Sequence, residues 1–212
     1  MGKSTSGRNL DCESTMILNS DQKALPFKKF KLNYNEEKGN YLQTSNTTEC
    51  VNGLKASHKN PEIKRVLLDT WSRIMTDAVM SPDFRKEKGF NKWGEFSAAQ
   101  YDLLNIINDK LREDIIVYVM CHPDSTTDEM GIVSHKIAVQ GKQLEKFVPE
   151  SFSSIVLYAE VQKIPGEPNR HVFRTKSSGN DTCKTPLDMF EEDYIDNDLV
   201  IVDNAIREYY GI

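Results

Sequence analysis

The sequence predicts an α/β fold built on a mostly parallel β-sheet. Three observations lead there. Short runs of β-branched and apolar residues alternate with segments of helical periodicity along the 212 residues, which is the pattern of strand–helix–strand units. The runs are continuously apolar, as in strands covered on both faces. Two of them close on a polar group, Asp69 and His122, and in open α/β sheets ligands sit beyond the carboxyl ends of the strands.

The elements follow in order. Thr15 to Asn19 reads as a first strand, and Arg65 to Asp69 as a buried strand ending in an acid. Residues 115–121 form the strongest β-run, and residues 154–161 form another. Between them, Thr47 to Lys59 reads as a helix ended by Asn60-Pro61, and Trp71 to Met80 as one that stops at Ser81-Pro82. Over 94–113, Phe96, Ala99, Leu103, Ile107 and Leu111 recur at three- and four-residue spacing and make one apolar stripe. The last third is more β-rich. Residues 131–138 alternate weakly, and 171–176 read as an edge strand after the Pro165-Gly166-Glu167-Pro168 turn. A final helix is expected over 197–210, with Leu199, Val202, Ile206 and Tyr209 inward, and mobile loops over 124–131 and 177–182.

Composition narrows the function. The length suits one domain with a sizeable core. A net charge of −5 excludes nucleic-acid coating by bulk charge and leaves room for a local basic patch. No run approaches the roughly 18 apolar residues of a membrane span, and no apolar signal-peptide core opens the chain. The expected setting is cytoplasmic. Cys12, Cys50, Cys121 and Cys183 lie far apart without a C-x-x-C pair, so they read as four free thiols and not as a zinc site.

The first residues carry the sharpest signal. Gly2-Lys3-Ser4-Thr5 is the second half of a phosphate-binding loop, G-x-x-x-x-G-K-[ST]. Such loops wrap phosphates in backbone N–H groups at a helix N-terminus. The Lys reaches the β- and γ-phosphates and the next hydroxyl holds Mg²⁺. Lys3 and Ser4 fit these roles. Asp69 stands where nucleotide-hydrolysing enzymes present an acid to Mg²⁺, and His122 follows the strongest strand.

In this order the motifs resemble a phage family of RecA-like P-loop ATPases linked to recombination and single-strand annealing. The matching segments include Gly2-Lys3-Ser4-Thr5-Ser6, Asn9-Leu10-Asp11, Leu25-Pro26-Phe27, Asn40-Tyr41-Leu42, Pro61-Glu62-Ile63-Lys64 and Leu68-Asp69. They continue through Glu87-Lys88-Gly89-Phe90, Leu111-Arg112-Glu113-Asp114, Val156-Leu157-Tyr158 and Asn197-Asp198-Leu199. They close on Val202-Asp203-Asn204-Ala205-Ile206-Arg207-Glu208-Tyr209-Tyr210-Gly211, the most distinctive stretch. The resemblance implies a single RecA-like P-loop core over 1–212, with residues 1–125 as the nucleotide-binding part. Residues 126–212 would supply the remaining core strands, the hairpin region and the C-terminal helix. It implies ATP and Mg²⁺ as ligands, with Gly2, Lys3, Ser4 and Thr5 on phosphate and Ser4 and Asp69 on Mg²⁺. Lys3 and His122 would be catalytic, His122 as a γ-phosphate sensor. Partners would be single-stranded DNA and recombination proteins in the host cytoplasm, with homo-oligomers as one arrangement and no membrane.

The chain departs from that family in two places. The strand and glycine-rich turn that precede G-K-S in relatives are missing, and in that fold the missing strand is an interior one. Its loss is expected to leave unpaired backbone edges near Cys121 and Val161. Thr70 stands where relatives carry a second acid, and a hydroxyl is no general base at neutral pH. Further candidates are Lys28, Lys29 and Lys31 with Phe27 and Phe30, and Arg85, Lys86 and Lys88 with Phe84 and Phe90, which mix cations with aromatics as single-strand binders do. Lys184 is a candidate cation for a neighbouring subunit's γ-phosphate, and Trp71 and Trp93 read as core or interface residues. The second reading is a non-hydrolysing DNA-binding or annealing module with a vestigial nucleotide site. A nucleotide or small-molecule kinase ranks third, for want of an arginine-rich lid.

Overall fold

The computed structural model describes residues 2–212. A four-stranded parallel sheet lies at its centre, in the order β2-β1-β3-β4. Its strands are β1 (Thr15–Asn19), β2 (Tyr41–Leu42), β3 (Arg65–Asp69) and β4 (Ile116–Met120). β1 and β3 pair in register from Thr15 opposite Arg65 to Asn19 opposite Asp69. Alternation along these strands divides the core in two. Met16, Leu18, Val66 and Leu68 face one side, where α2 (Thr47–Lys59), α3 (Trp71–Met80) and α5 (Asn91–Asp109) pack. Ile17, Leu67, Ile116 and Met120 face the other, covered by Phe173, Met189, Phe190 and helix α7 (Leu199–Tyr210). Residues buried on both faces must be apolar throughout, which is why these strands show no alternation in sequence.

Local chemistry sets the helix ends. Asn46 caps α2 by accepting from the Glu49 amide at 3.1 Å. Arg112 closes the other end of α2, donating to the carbonyls of Ser57, His58 and Asn60 and, beyond the helix, of Ile63 at 2.6–3.2 Å. Thr70 caps α3 through the Arg73 amide at 3.2 Å. Pro82 opens the short α4 (Pro82–Lys86) after the Ser81 cap. Asp198 caps α7, and Gly211 ends it with φ +70°.

The rest of the chain is β-rich and antiparallel. β5 (Pro123–Thr127) and β6 (Val133–Ile137) form a hairpin, and β7 (Tyr158–Gln162), β8 (Arg170–Arg174) and β9 (Tyr194–Asp196) form a three-stranded sheet in that order. Smaller elements are the one-turn helices α1 (Phe30–Asn33) and α6 (Lys142–Glu145) and 3-10 turns at Ser4–Asn9 and Pro149–Phe152. No helix among the described residues is long and apolar enough to cross a membrane. All four cysteines are free thiols.

Several expectations are corrected here. The run 154–161 does not join the parallel sheet. It makes one bridge, Val156 to Lys184, and then becomes the antiparallel β7. The segment 124–131 is half strand, because β5 supplies the partner that the weakly alternating β6 needs. The strand expected at the edge over 171–176 is the central strand β8, paired on both sides. In α5 the buried stripe is rotated from the expected one. Ala99 is exposed and Gln100 is buried, because Gln100 accepts from the Trp71 indole at 2.8 Å and donates to Thr47 at 3.0 Å. Tyr209 turns outward on α7.

The distinctive C-terminal stretch is built into the fold by charge. The buried Asp203 carboxylate accepts from Arg65 at 2.6 Å, Arg207 at 2.9 Å and the Tyr118 hydroxyl at 3.1 Å. It thereby ties α7 to β3 and β4. Removing one partner of a buried ion pair costs roughly 3–5 kcal/mol. Arg65 and Arg207 keep some access to water, so Asp203→Ala is expected at the low end, about 3 kcal/mol, read as a lowered midpoint in urea unfolding.

Candidate functional site

The site forms where β1 and β3 end together. Their register sets Asn19 beside Asp69, and the turn after β1 is bonded to the turn after β3. The amides of Ser20 and Asp21 both donate to the Asp69 carbonyl, at 2.8 and 3.1 Å, and the Ser20 hydroxyl donates to the Thr70 carbonyl at 3.0 Å. The Thr70 hydroxyl donates to Asp21 at 3.1 Å. Two strand ends are thus joined into one polar ledge, and the Asp69–Thr70 peptide within it is cis.

Gly2, Lys3, Ser4 and Thr5 approach this ledge from the side. The 3-10 turn Ser4–Asn9, which holds Ser4 and Thr5, is moored to the start of α7, with Arg8 donating to the Asn197 carbonyl at 2.8 Å and Asn9 to Asp198 at 2.6 Å. A six-residue 3-10 turn stands where the loop motif leads one to expect an α-helix. Gly2 has φ +79°, and a Cβ there would lie 2.9 Å from Asn197 Oδ1, so only glycine fits without rearrangement. The backbone amides of Lys3, Ser4 and Thr5 form no backbone hydrogen bond among the described residues.

These pieces enclose a cleft of about 330 Å³, lined by Gly2, Lys3, Ser4, Thr5, Asp69 and His122. Every residue singled out for the nucleotide site therefore meets at one place. Sequence reading missed Asn19, Asp21 and Lys23, which also line it. The signal was present: Asn19-Ser20-Asp21 follows an apolar run just as Asp69 does, and the same strand-end rule applies.

Electrostatically the cleft is unfinished. Asp69 is 1 % exposed, and neither carboxylate oxygen accepts a hydrogen bond of normal geometry among the described residues, although the Ser4 hydroxyl lies close enough to favour the charged form. Burial pushes its carboxyl above the usual range, and the nearby Asp21 adds to this, against the Ser4 hydroxyl, Lys3 and His122. Lys3 is lowered from the ordinary lysine value, chiefly by burial, while Asp69, Cys121 and Asp21 pull it back up. The Asn19 Oδ1 is also buried without a partner. A buried carboxylate with no donor is costly unless something supplies one.

His122 is exposed at the end of β4, with its amide donating to Ser72 at 2.8 Å and its carbonyl accepting from Ala138 at 2.9 Å. Its backbone is fixed and its ring borders the cleft. No group of three His, Cys, Asp or Glu side chains among the described residues could hold a metal alone. Mg²⁺ needs no such cage, since it keeps several waters and takes one or two carboxylates together with substrate phosphates. The bare Asp69 carboxylate beside Ser4 suits that mode.

The basic clusters lie elsewhere. Lys28, Lys29 and Lys31 are exposed, but Phe27 and Phe30 pack inward against Tyr34 and Tyr41 and offer no stacking platform. Phe84 likewise packs on Trp93 and Phe96, and Lys92 lies over its ring; only Phe90, 90 % exposed, stands free in that cluster. Trp71 is a core residue. Lys184 is exposed on the strand-like segment paired with Val156 and does not line the Asp69 cleft. No family model, curated protein or solved structure matches the chain.

The raised Asp69 value has a definite sign in stability. The folded protein holds this proton more tightly than the unfolded chain, so stability contributed by Asp69 falls as pH rises from about 3.9 upward through the raised folded value. Asp69→Asn removes that loss. The variant is expected to be more stable than the parent at pH 7 and equal to it near pH 3. Thermal melts across pH check this; a parent that gains on the variant as pH rises would contradict it.

Proposed function

We propose that the Lys3–Asp69–His122 cleft binds the polyphosphate of ATP together with Mg²⁺. The observation that carries this is the bare, buried Asp69 carboxylate facing the half-buried Lys3 ammonium across an open cleft. Neither charge is satisfied by the other, and both would be satisfied by a metal-bound anion. Lys3 would contact phosphate oxygens, the Gly2–Thr5 amides would add donors, and Asp69 with the Ser4 hydroxyl would hold Mg²⁺. Bound Mg²⁺ supplies neutralisation of phosphate charge. His122 stands at the rim, where a ring N–H can donate to a terminal phosphate.

Turnover is expected to be slow. Thr70 is committed to capping α3 and to Asp21, and no carboxylate follows Asp69 to orient an attacking water. The wider reading is a RecA-like phage protein that works on DNA in recombination or strand annealing. It is supported by the ordered sequence resemblance. The exposed Lys28, Lys29 and Lys31 favour the second reading, backbone contact with single-stranded DNA independent of ATP.

Calorimetric titration with ATP and Mg²⁺ tests the first reading. Binding should appear only with Mg²⁺. Lys3→Ala should weaken it by roughly 10- to 100-fold, the worth of one charge-assisted hydrogen bond, with unchanged circular dichroism. A folded protein that takes up no ATP at millimolar concentration sinks the proposal. Gel shifts at low salt address the second: neutralising Lys28, Lys29 and Lys31 together should abolish retardation of single-stranded DNA, and no retardation by the parent chain excludes it.

A further inference from the structure

β4 carries the most strongly apolar run in the chain, yet Val117, Tyr118 and Val119 are only half-buried. The cause is an open edge. The Ile116 amide donates to the Lys64 carbonyl at 3.0 Å, so Ile116, Tyr118 and Met120 turn their backbone groups toward β3. Val117 and Val119 turn theirs the other way, where the sheet has no further strand among the described residues. Among the described residues, the amides of both and the carbonyl of Val117 have no partner; the Val119 carbonyl meets only the Cys121 thiol, at 3.8 Å.

A second open edge faces this one. Val156 exchanges both backbone bonds with Lys184, at 2.8 and 2.9 Å. Ile155 and Leu157 therefore turn their amides and carbonyls away from Lys184, and these too are without partners among the described residues. Both edges line one cavity of about 490 Å³. Its two faces are closed by apolar side chains, Leu104 and Ile107 of α5 on one and Val202 and Ile206 of α7 on the other.

We propose that this slot binds an extended peptide strand of about five apolar residues, inserted parallel to β4 as the next strand of the sheet. Both edges offer alternating donors and acceptors, which a strand satisfies on its two sides at once. The site continues the β2-β1-β3-β4 sheet in its own direction. Apolar helices over both faces call for an occupant that is apolar at every position. An aliphatic ligand would fill the same volume but leave the edge groups buried and unpaired. Lys3 borders this cavity as well as the Asp69 cleft, so a parallel occupant would leave the slot beside the phosphate-loop residues.

The probe is an acetylated heptapeptide of five alternating valines and isoleucines between two lysines. It is added free, and also fused to the N-terminus through a glycine–serine linker, which raises its effective concentration at the mouth marked by Lys3. Amide hydrogen exchange is followed at Val117, Val119, Ile155 and Leu157, with the already paired β1 amides as reference. At least tenfold slowing at all four is expected in the fusion, and the same pattern with saturating free peptide. A peptide N-methylated at alternate residues should give none. Three results overturn the proposal: no slowing in the fusion, equal slowing by the N-methylated peptide, or slowing by decanoate where the peptides give none, which would make the slot a site for small apolar ligands.

Discussion

The pairing of β1 with β3 is the constraint on which the rest depends. β1 pairs with β3 over its whole length, and every residue of β1 is buried. Side chains alternate at a period of two, so a slip of one residue would exchange the two core faces along the whole strand. With the hydrophobic faces fixed, the strand ends are fixed as well. Asn19 and Asp69 end level, and the bonds from Ser20 and Asp21 to the Asp69 carbonyl follow. The polar ledge is thus a consequence of apolar packing several residues away.

That ledge holds energy unfavourable to folding. Among the described residues, the buried Asp69 carboxylate accepts no hydrogen bond of normal geometry, and Lys3 is partly stripped of water without forming an ion pair that would repay it. Elsewhere the same protein satisfies its buried acids thoroughly. Asp203 has three donors, and Glu150 accepts from the Ile137 amide and the Thr182 hydroxyl. The contrast sets Asp69 apart from the carboxylates that hold the fold together. The same fold surrounds Asp203 with arginines and leaves Asp69 bare, which is the asymmetry the proposed metal-bound anion would remove.

Much of this was legible in the sequence, for identifiable reasons. Continuous apolar runs marked β1, β3 and β4 because strands buried on both faces have no polar alternative. The rule that strand ends carry ligands singled out Asp69 and His122 and the loop motif singled out Lys3, and the three line one cleft. What was not legible depended on partners distant in sequence. Gln100 reads as a polar interruption of a helix stripe until Trp71 and Thr47 are seen beside it. β5 reads as a loop because its residues are exposed and polar, and only its pairing with β6 makes it a strand. The run 154–161 looks like a core strand because it is apolar. Its apolarity serves the wall of a slot, and a single-residue bridge to Lys184 is the one pairing it makes before β7.

The slot and the cleft share Lys3 in their linings. A phosphate loop holds its anion through backbone amides whose direction is set by the segment leading into them. Here Gly2 to Thr5 lead into a turn that Arg8 and Asn9 moor on the start of α7. A strand seated on the Val117 and Val119 edge would bring a second rigid boundary to the same residues. Any tightening of the cleft by the strand requires an equal tightening of the strand by the cleft's ligand, because a coupling free energy is shared by both sites. The open edge of β4 and the bare carboxylate of Asp69 thus border one and the same lysine, the residue through which any such coupling would pass.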